Sequence, residues 1–288
     1  MDLHLKIKLF YASQLADLFR SGLIAIFLFL QTNIALAEDS NWQQWATHNQ
    51  HSLVEIDHST WNRVLKTYVH TNSFGQNMFD YASVSPADQR AIKHYLEMLS
   101  TVDVQDLNKN EQLAFWINAY NAIVVRVILK EYPVESILDV GGDVFNRGPW
   151  NNHYFSVGGV PISLSNIRRE IIFTHWQDVR VIYALSCGAI GCPNLGAKAV
   201  IGRKVNGYLD AAAMAFINGP VAILKFDNDS VKTSKLFYWS KGEFIDHNVN
   251  ILEHIKTYAV GDMARKLKNV ENIRGYGFNW QLNDIYRE

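Results

Sequence analysis

Cysteine is scarce: the 288 residues hold two, Cys187 and Cys192. Two thiols cannot build a disulfide framework. They also give poor support for zinc, because no second cysteine pair and no His-x3-5-His spacing joins them. No metal is expected. Residues 188–191, Gly-Ala-Ile-Gly, lack the lysine and hydroxyl residue of a phosphate loop and the spacing of a dinucleotide fingerprint. No cofactor is expected either. Neither sign of charge is in excess, with 27 Lys and Arg against 28 Asp and Glu and a net charge of -1. Without a basic field or a basic pattern interleaved with aromatics, no nucleic-acid partner is expected. The apolar run at residues 22–30 is too short to span a bilayer, so stable membrane insertion is not expected. Internal repeats and low-complexity runs are missing as well.

What the sequence does hold is core material. With 48% hydrophobic and 19% charged residues it has the composition of an ordinary globular protein. Lys6, Lys8 and Arg20 precede the apolar run, and Ala35-Leu36-Ala37 follows it with the small-x-small pattern of a signal peptidase site. Residues 1–37 therefore read as a secretory signal with a long basic region, which places the mature protein in the periplasm or outside the cell. The alternative is an uncleaved anchor. Residues 38–74 form an N-terminal extension and residues 75–288 the domain proper. Export bears on the cysteines, since an oxidising compartment lets two thiols five positions apart pair.

Along the chain, Ser59 or Thr60 caps a helix reaching about residue 70. Ser85-Pro86-Ala87-Asp88 opens another, with a cap, a proline at the first position and an acid in the first turn. Residues 110–130 are apolar nearly all round, which predicts the most buried helix, ended by Pro133. Residues 153–157 and 160–162, joined by Gly158-Gly159, read as a hairpin. Ser163 or Ser165 caps a helix ending near residue 173. Residues 206–218 form an alanine-rich helix, and residues 221–226 and 230–238 a second hairpin around Asp227-Asn228-Asp229. Short helices are expected near residues 240–245, 248–258 and 262–267. This pattern predicts an α+β fold: one compact domain with a helical N-terminal part and a small mixed or antiparallel sheet.

The chain is organised around residues 181–193. Val181-Ile182-Tyr183-Ala184-Leu185 reads as a buried strand that opens into the small-residue loop Ser186-Cys187-Gly188-Ala189. A strand giving way to such a loop is where α/β proteins often keep their chemistry. Cys187 is the candidate nucleophile, and amides at Gly188 would serve an oxyanion. The competing reading makes both cysteines structural, buried or joined. Asn118 and Asn121 share a face of the apolar helix. They either line the site or tie down neighbouring loops. Arg180 either clamps a substrate carboxylate or sits in a structural ion pair.

Three stretches together resemble one family, the domain of unknown function 547. They are Leu113-Ala114-Phe115-Trp116-Ile117-Asn118-Ala119-Tyr120-Asn121, residues 184–195 with both cysteines, and Trp280-Gln281-Leu282-Asn283. The resemblance covers residues 75–285 and identifies the chain as an exported bacterial member. It implies little about activity. Some members have been likened to papain-type or transglutaminase-type thiol enzymes with a Cys, His and Glu set, and Cys187 and Glu111 match those positions. The histidine does not carry over, because Ile167-Arg168-Arg169 and Ile182 stand where many members have the expected base. His153, which follows the loop carrying Trp150 and opens a strand, is the best remaining candidate; its plain reading is an exposed strand end. Two functional readings follow. One is a thiol hydrolase or acyl-transferase acting on a peptide or amide bond. The other is a non-catalytic binding or scaffold protein with Cys187 and Cys192 structural or bonded. The partner in either case is a peptide or a small molecule.

Overall fold

The computed structural model describes residues 42–142 and 147–286. The signal expected at residues 1–37 lies outside them. The described residues divide between two units, with the boundary after Thr47. The first contains the 3-10 turn Gln44–Ala46, and the second contains every other described element.

The helix Lys109–Glu131 is the axis of the second unit. Asn108 caps it, its Oδ1 accepting the Glu111 N–H at 3.1 Å. Every residue from Glu111 to Val125 is buried. This helix is long and apolar enough to cross a membrane, yet it is sheathed by the rest of the protein. Phe115 and Trp116 meet edge to face at 4.9 Å in the core it forms. The helix Pro86–Ser100 packs along it. Its start is as the sequence predicts, with Ser85 Oγ accepting the Asp88 N–H at 3.1 Å and Pro86 at the first position. Asp88 also accepts from Arg63 and from the Tyr68 hydroxyl, both at 2.6 Å, which joins the helix Ser59–Tyr68 to the same layer.

The α+β class holds, with the strands distributed over three small sheets among the described residues. Strands β1 (Val69–Thr71) and β2 (Asn77–Phe79) form a short antiparallel pair. Strands β3 (His153–Val157) and β4 (Val160–Ser163) form the expected hairpin. Its turn needs positive φ at both Gly158 and Gly159, +57° and +81°. Strands β5 (Ile223–Asp227) and β6 (Ser230–Ser234) form the second hairpin, and β7 (Asn272–Gly277) adds parallel to β6. A second core gathers beside this sheet around Tyr183, Phe216, Phe237 and Phe244.

One expectation is corrected. Residues 181–185 are not the expected strand. Val179–Tyr183 is a 3-10 helix, started by Asp178 Oδ1 accepting the Arg180 N–H at 3.0 Å. Val181, Ile182 and Tyr183 are all buried, so the run is apolar on every side. Periodicity cannot separate such a run from a buried strand. The preceding helix also differs from the expected regular form: Asn166–Ile172 is π-helical and passes into Phe173–His175. Ser163 Oγ accepts the Asn166 N–H at 3.1 Å and starts it.

Candidate functional site

Cys187 lies on the wall of a cleft of about 390 Å³. The bend that carries it is held from below. Asn121 Nδ2 donates to the Ala184 carbonyl and its Oδ1 accepts the Ser186 N–H, both at 2.9 Å. Asn118 does the same for Val200, donating to the carbonyl at 2.8 Å and accepting the N–H at 3.0 Å. Both amides are buried, and neither lines the cleft. Their role in this structure is to pin loops to the central helix.

The loop after Cys187 is held by residues 279–283. Gly191 N–H donates to the Asn279 carbonyl at 2.9 Å and Ile190 N–H to the Gln281 carbonyl at 2.8 Å, while Asn283 N–H donates to the Gly188 carbonyl at 3.1 Å. The cysteine motif and the Trp280-Gln281-Leu282-Asn283 motif are thus one assembly. Gly188 has φ +73°, and a Cβ there would meet Ile128 Cδ1 at 2.5 Å. Cys187 and Cys192 are joined in a disulfide, with Cα atoms 5.6 Å apart. Cys192 is buried, its Sγ accepting the Ala189 N–H at 3.2 Å, whereas Cys187 is half-buried and faces the cleft. In this state Cys187 offers no free thiol.

The other residues proposed for catalysis lie elsewhere. Glu111 is buried at the start of the central helix. Its Oε1 accepts the Ile56 N–H at 2.8 Å and its Oε2 the Gly202 N–H at 3.0 Å. Gly202 is required there, since a Cβ would come within 2.7 Å of the Glu111 backbone. His153 lines two other cavities and is absent from the Cys187 cleft. Arg180 is saturated by Asp178, Asp210 and Asn206. The hydrogen bonds that it donates to Asp178 raise its pKa further, so it stays charged and engaged. The structure therefore does not bring Cys187, Glu111 and His153 together.

What meets Cys187 instead is cation and aromatic surface. Arg168 and Arg169 come from the π-helical segment, a distortion frequently found at functional sites. The Arg168 guanidinium donates to Ser240 Oγ at 2.9 Å and to Glu243 Oε1 at 3.1 Å, and lies 5.0 Å from the Phe173 ring centre. Burial lowers its pKa, partly offset by Glu243. Arg169 is exposed, with no side-chain partner among the described residues. Trp239, Phe278 and Trp280 form a continuous wall, with ring centres 4.5 to 5.3 Å apart. Trp150 extends it, 6.4 Å from Trp280. Tyr120 lines the cleft from the central helix, its hydroxyl pushed up to about 12 by burial and so neutral near pH 7. No histidine, Asp or Glu is among the described residues lining the cleft. Such a surface can stack a ring and pair an anion.

Sequence reasoning reached Arg168, Arg169, Trp150 and Trp280 but not the wall they share. The available signal was the alternation Phe278-x-Trp280, which puts two aromatics on one side of an extended segment. Among the described residues, no group of three or more His, Cys, Asp or Glu is placed to hold a metal ion.

Residues 104–217 match the model of a family described as "Protein of unknown function, DUF547". The match takes in the central helix, both arginines and both cysteines, and stops before Trp239, Phe278 and Trp280. No curated protein and no solved structure matches the chain significantly. Over residues 104–217, less than half of its length, the chain is similar to the domain of unknown function 547 family.

Proposed function

We propose that this protein is a non-catalytic binding protein, and that the Cys187 cleft takes a small ligand carrying a ring and an anionic group. The observation that carries this reading is the Cys187–Cys192 disulfide at a cleft without histidine. A thiol enzyme needs a thiolate and a base within hydrogen-bond reach, and the cleft supplies neither. The tryptophan wall and the exposed Arg169 supply the attraction instead. Benzoate is the simplest probe with both features. Tryptophan fluorescence should change on titration with benzoate, and Arg169→Ala should weaken that binding roughly tenfold, as expected for a lost charge-assisted bond. Hydrolysis of p-nitrophenyl acetate or a peptide amide should stay at background before and after reduction. Turnover that appears on reduction and vanishes in Cys187→Ala would instead establish the thiol hydrolase.

We also infer that the chain is exported, with the mature protein beginning at Glu38. The disulfide fits an oxidising compartment, and Ala35-x-Ala37 fits the peptidase. N-terminal sequencing of exported protein should begin at Glu38; a fraction retaining Met1 would refute cleavage.

A further inference from the structure

A larger cavity, about 670 Å³, opens between the helix Pro86–Ser100, the second half of the central helix and strand β3. Its floor is apolar, with Ile92, Ile123 and Val127 buried in it. Its rim is cationic. Arg90 and Lys93 lie three apart on one helix, Arg126 and Lys130 four apart on the other, and His153 faces in from β3. Helical spacing puts each pair on one face. No Asp or Glu is among the described residues that line this cavity.

The four cations are not equally engaged. Lys93 pairs with Glu97 at 2.9 Å, and Glu97 lines the smaller adjoining cavity; Lys130 lies 3.8 Å from Glu131. Arg90 and Arg126 have no side-chain hydrogen bond or ion pair among the described residues. Arg126 is the more telling. The preceding residues, Glu111 to Val125, are all buried, and Arg126 itself is half-buried where the two cavities meet. A partly desolvated guanidinium is held at a cost unless something pairs with it. Two unpaired guanidinium groups, each a planar fork, match the oxygens of a phosphoryl group better than any single carboxylate. Pro86 brings the positive end of its helix to the same cavity.

We propose that this groove is a phosphoryl-binding site. Arg90 and Arg126 grip the phosphate oxygens, Lys93 and Lys130 neutralise the remaining charge, and the apolar floor takes the chain attached to the phosphate. The proposal stands apart from the Cys187 cleft and does not depend on its ligand. A phosphate monoester with an apolar tail has two sources, a soluble metabolite or a lipid headgroup, and the test separates them. The full chain is titrated calorimetrically with n-octyl phosphate, inorganic phosphate and n-octanol, and sedimented with phosphatidylcholine vesicles with and without phosphatidate. Octyl phosphate should bind more tightly than phosphate, and octanol should not bind. Arg126→Ala and Arg90→Ala should each weaken octyl phosphate binding about tenfold or more. Binding of octyl phosphate without vesicle capture assigns a soluble ligand; phosphatidate-dependent capture lost in Arg90→Ala assigns a headgroup. Arg90 is exposed, so its variant tests the site even where Arg126→Ala lowers stability. Equal binding of octanol and octyl phosphate, unchanged binding in Arg90→Ala, or no binding of any probe would overturn the proposal.

Discussion

Asn121 holds both sides of the bend before Cys187, accepting from Ser186 and donating to the Ala184 carbonyl, each at 2.9 Å. One side-chain amide thereby satisfies two buried backbone groups and sets where the cleft wall begins. Replacing it with alanine leaves both groups unpaired. Each such group costs about 1–3 kcal/mol, so Asn121→Ala should lower the unfolding free energy by roughly 2–6 kcal/mol. Urea denaturation at constant m value checks this. A change under 1 kcal/mol would mean that water replaces the amide.

Trp116 is fully buried on the central helix. Trp116→Ala should cost about 3–5 kcal/mol through lost burial and the cavity left behind. Its melting temperature, set against that of the parent protein, reads this directly; an unaltered value would contradict the packing described.

His58 and His254 make the protein acid-sensitive. Burial lowers both from 6.5 to about 4. His58 Nδ1 meets the Tyr95 hydroxyl at 2.7 Å, and His254 stacks on Tyr183 with ring centres 5.8 Å apart. The folded pKa lies below the unfolded one, so the neutral ring favours the fold. That contribution is complete above about pH 6.5 and declines as pH falls toward 4, by up to about 3 kcal/mol per histidine. His254→Phe keeps a ring against Tyr183 and removes one titration. The loss of stability between pH 7 and 4.5 should be smaller in that variant. Superimposable pH profiles would exclude His254 from the acid response.

The disulfide closes a short loop, so its effect on the unfolded chain is modest. Loop-closure entropy for residues five apart gives about 2 kcal/mol. The double variant Cys187→Ala, Cys192→Ala should lose about that much stability and still fold. Alkylation of the unreduced parent protein by iodoacetamide should label neither cysteine, as mass spectrometry would show.

Local signals in the sequence were enough for much of the fold. Ser85, Pro86 and Asp88 announce their helix because cap, fixed φ and first-turn acid act within four residues. Gly158-Gly159 announces its hairpin for the same reason. The α+β class follows from the sum of such signals. The run Val181–Leu185 defeated this reading because a segment buried on all sides carries no periodicity. The cleft was legible only in fragments. Arg168 is about seventy positions from Trp239 and over a hundred from Trp280, and no local rule says that such residues share a wall. The use of Asn118 and Asn121 was open for a related reason. A buried amide demands partners, but the sequence does not say whether backbone or ligand supplies them.

The pairing of residues 279–283 with the Cys187 loop has a temporal consequence. A nascent chain extended only to Val270 already contains both cysteines, both arginines and the central helix. It still lacks β7, Phe278, Trp280 and the backbone partners of Gly188, Ile190 and Gly191. Contacts this distant in sequence form slowly and late. The loop that carries the disulfide is thus synthesised before the segment that braces it. Cysteines oxidised before residues 279–283 dock would close a loop that lacks its backbone partners, whereas oxidation after docking would close a loop already held.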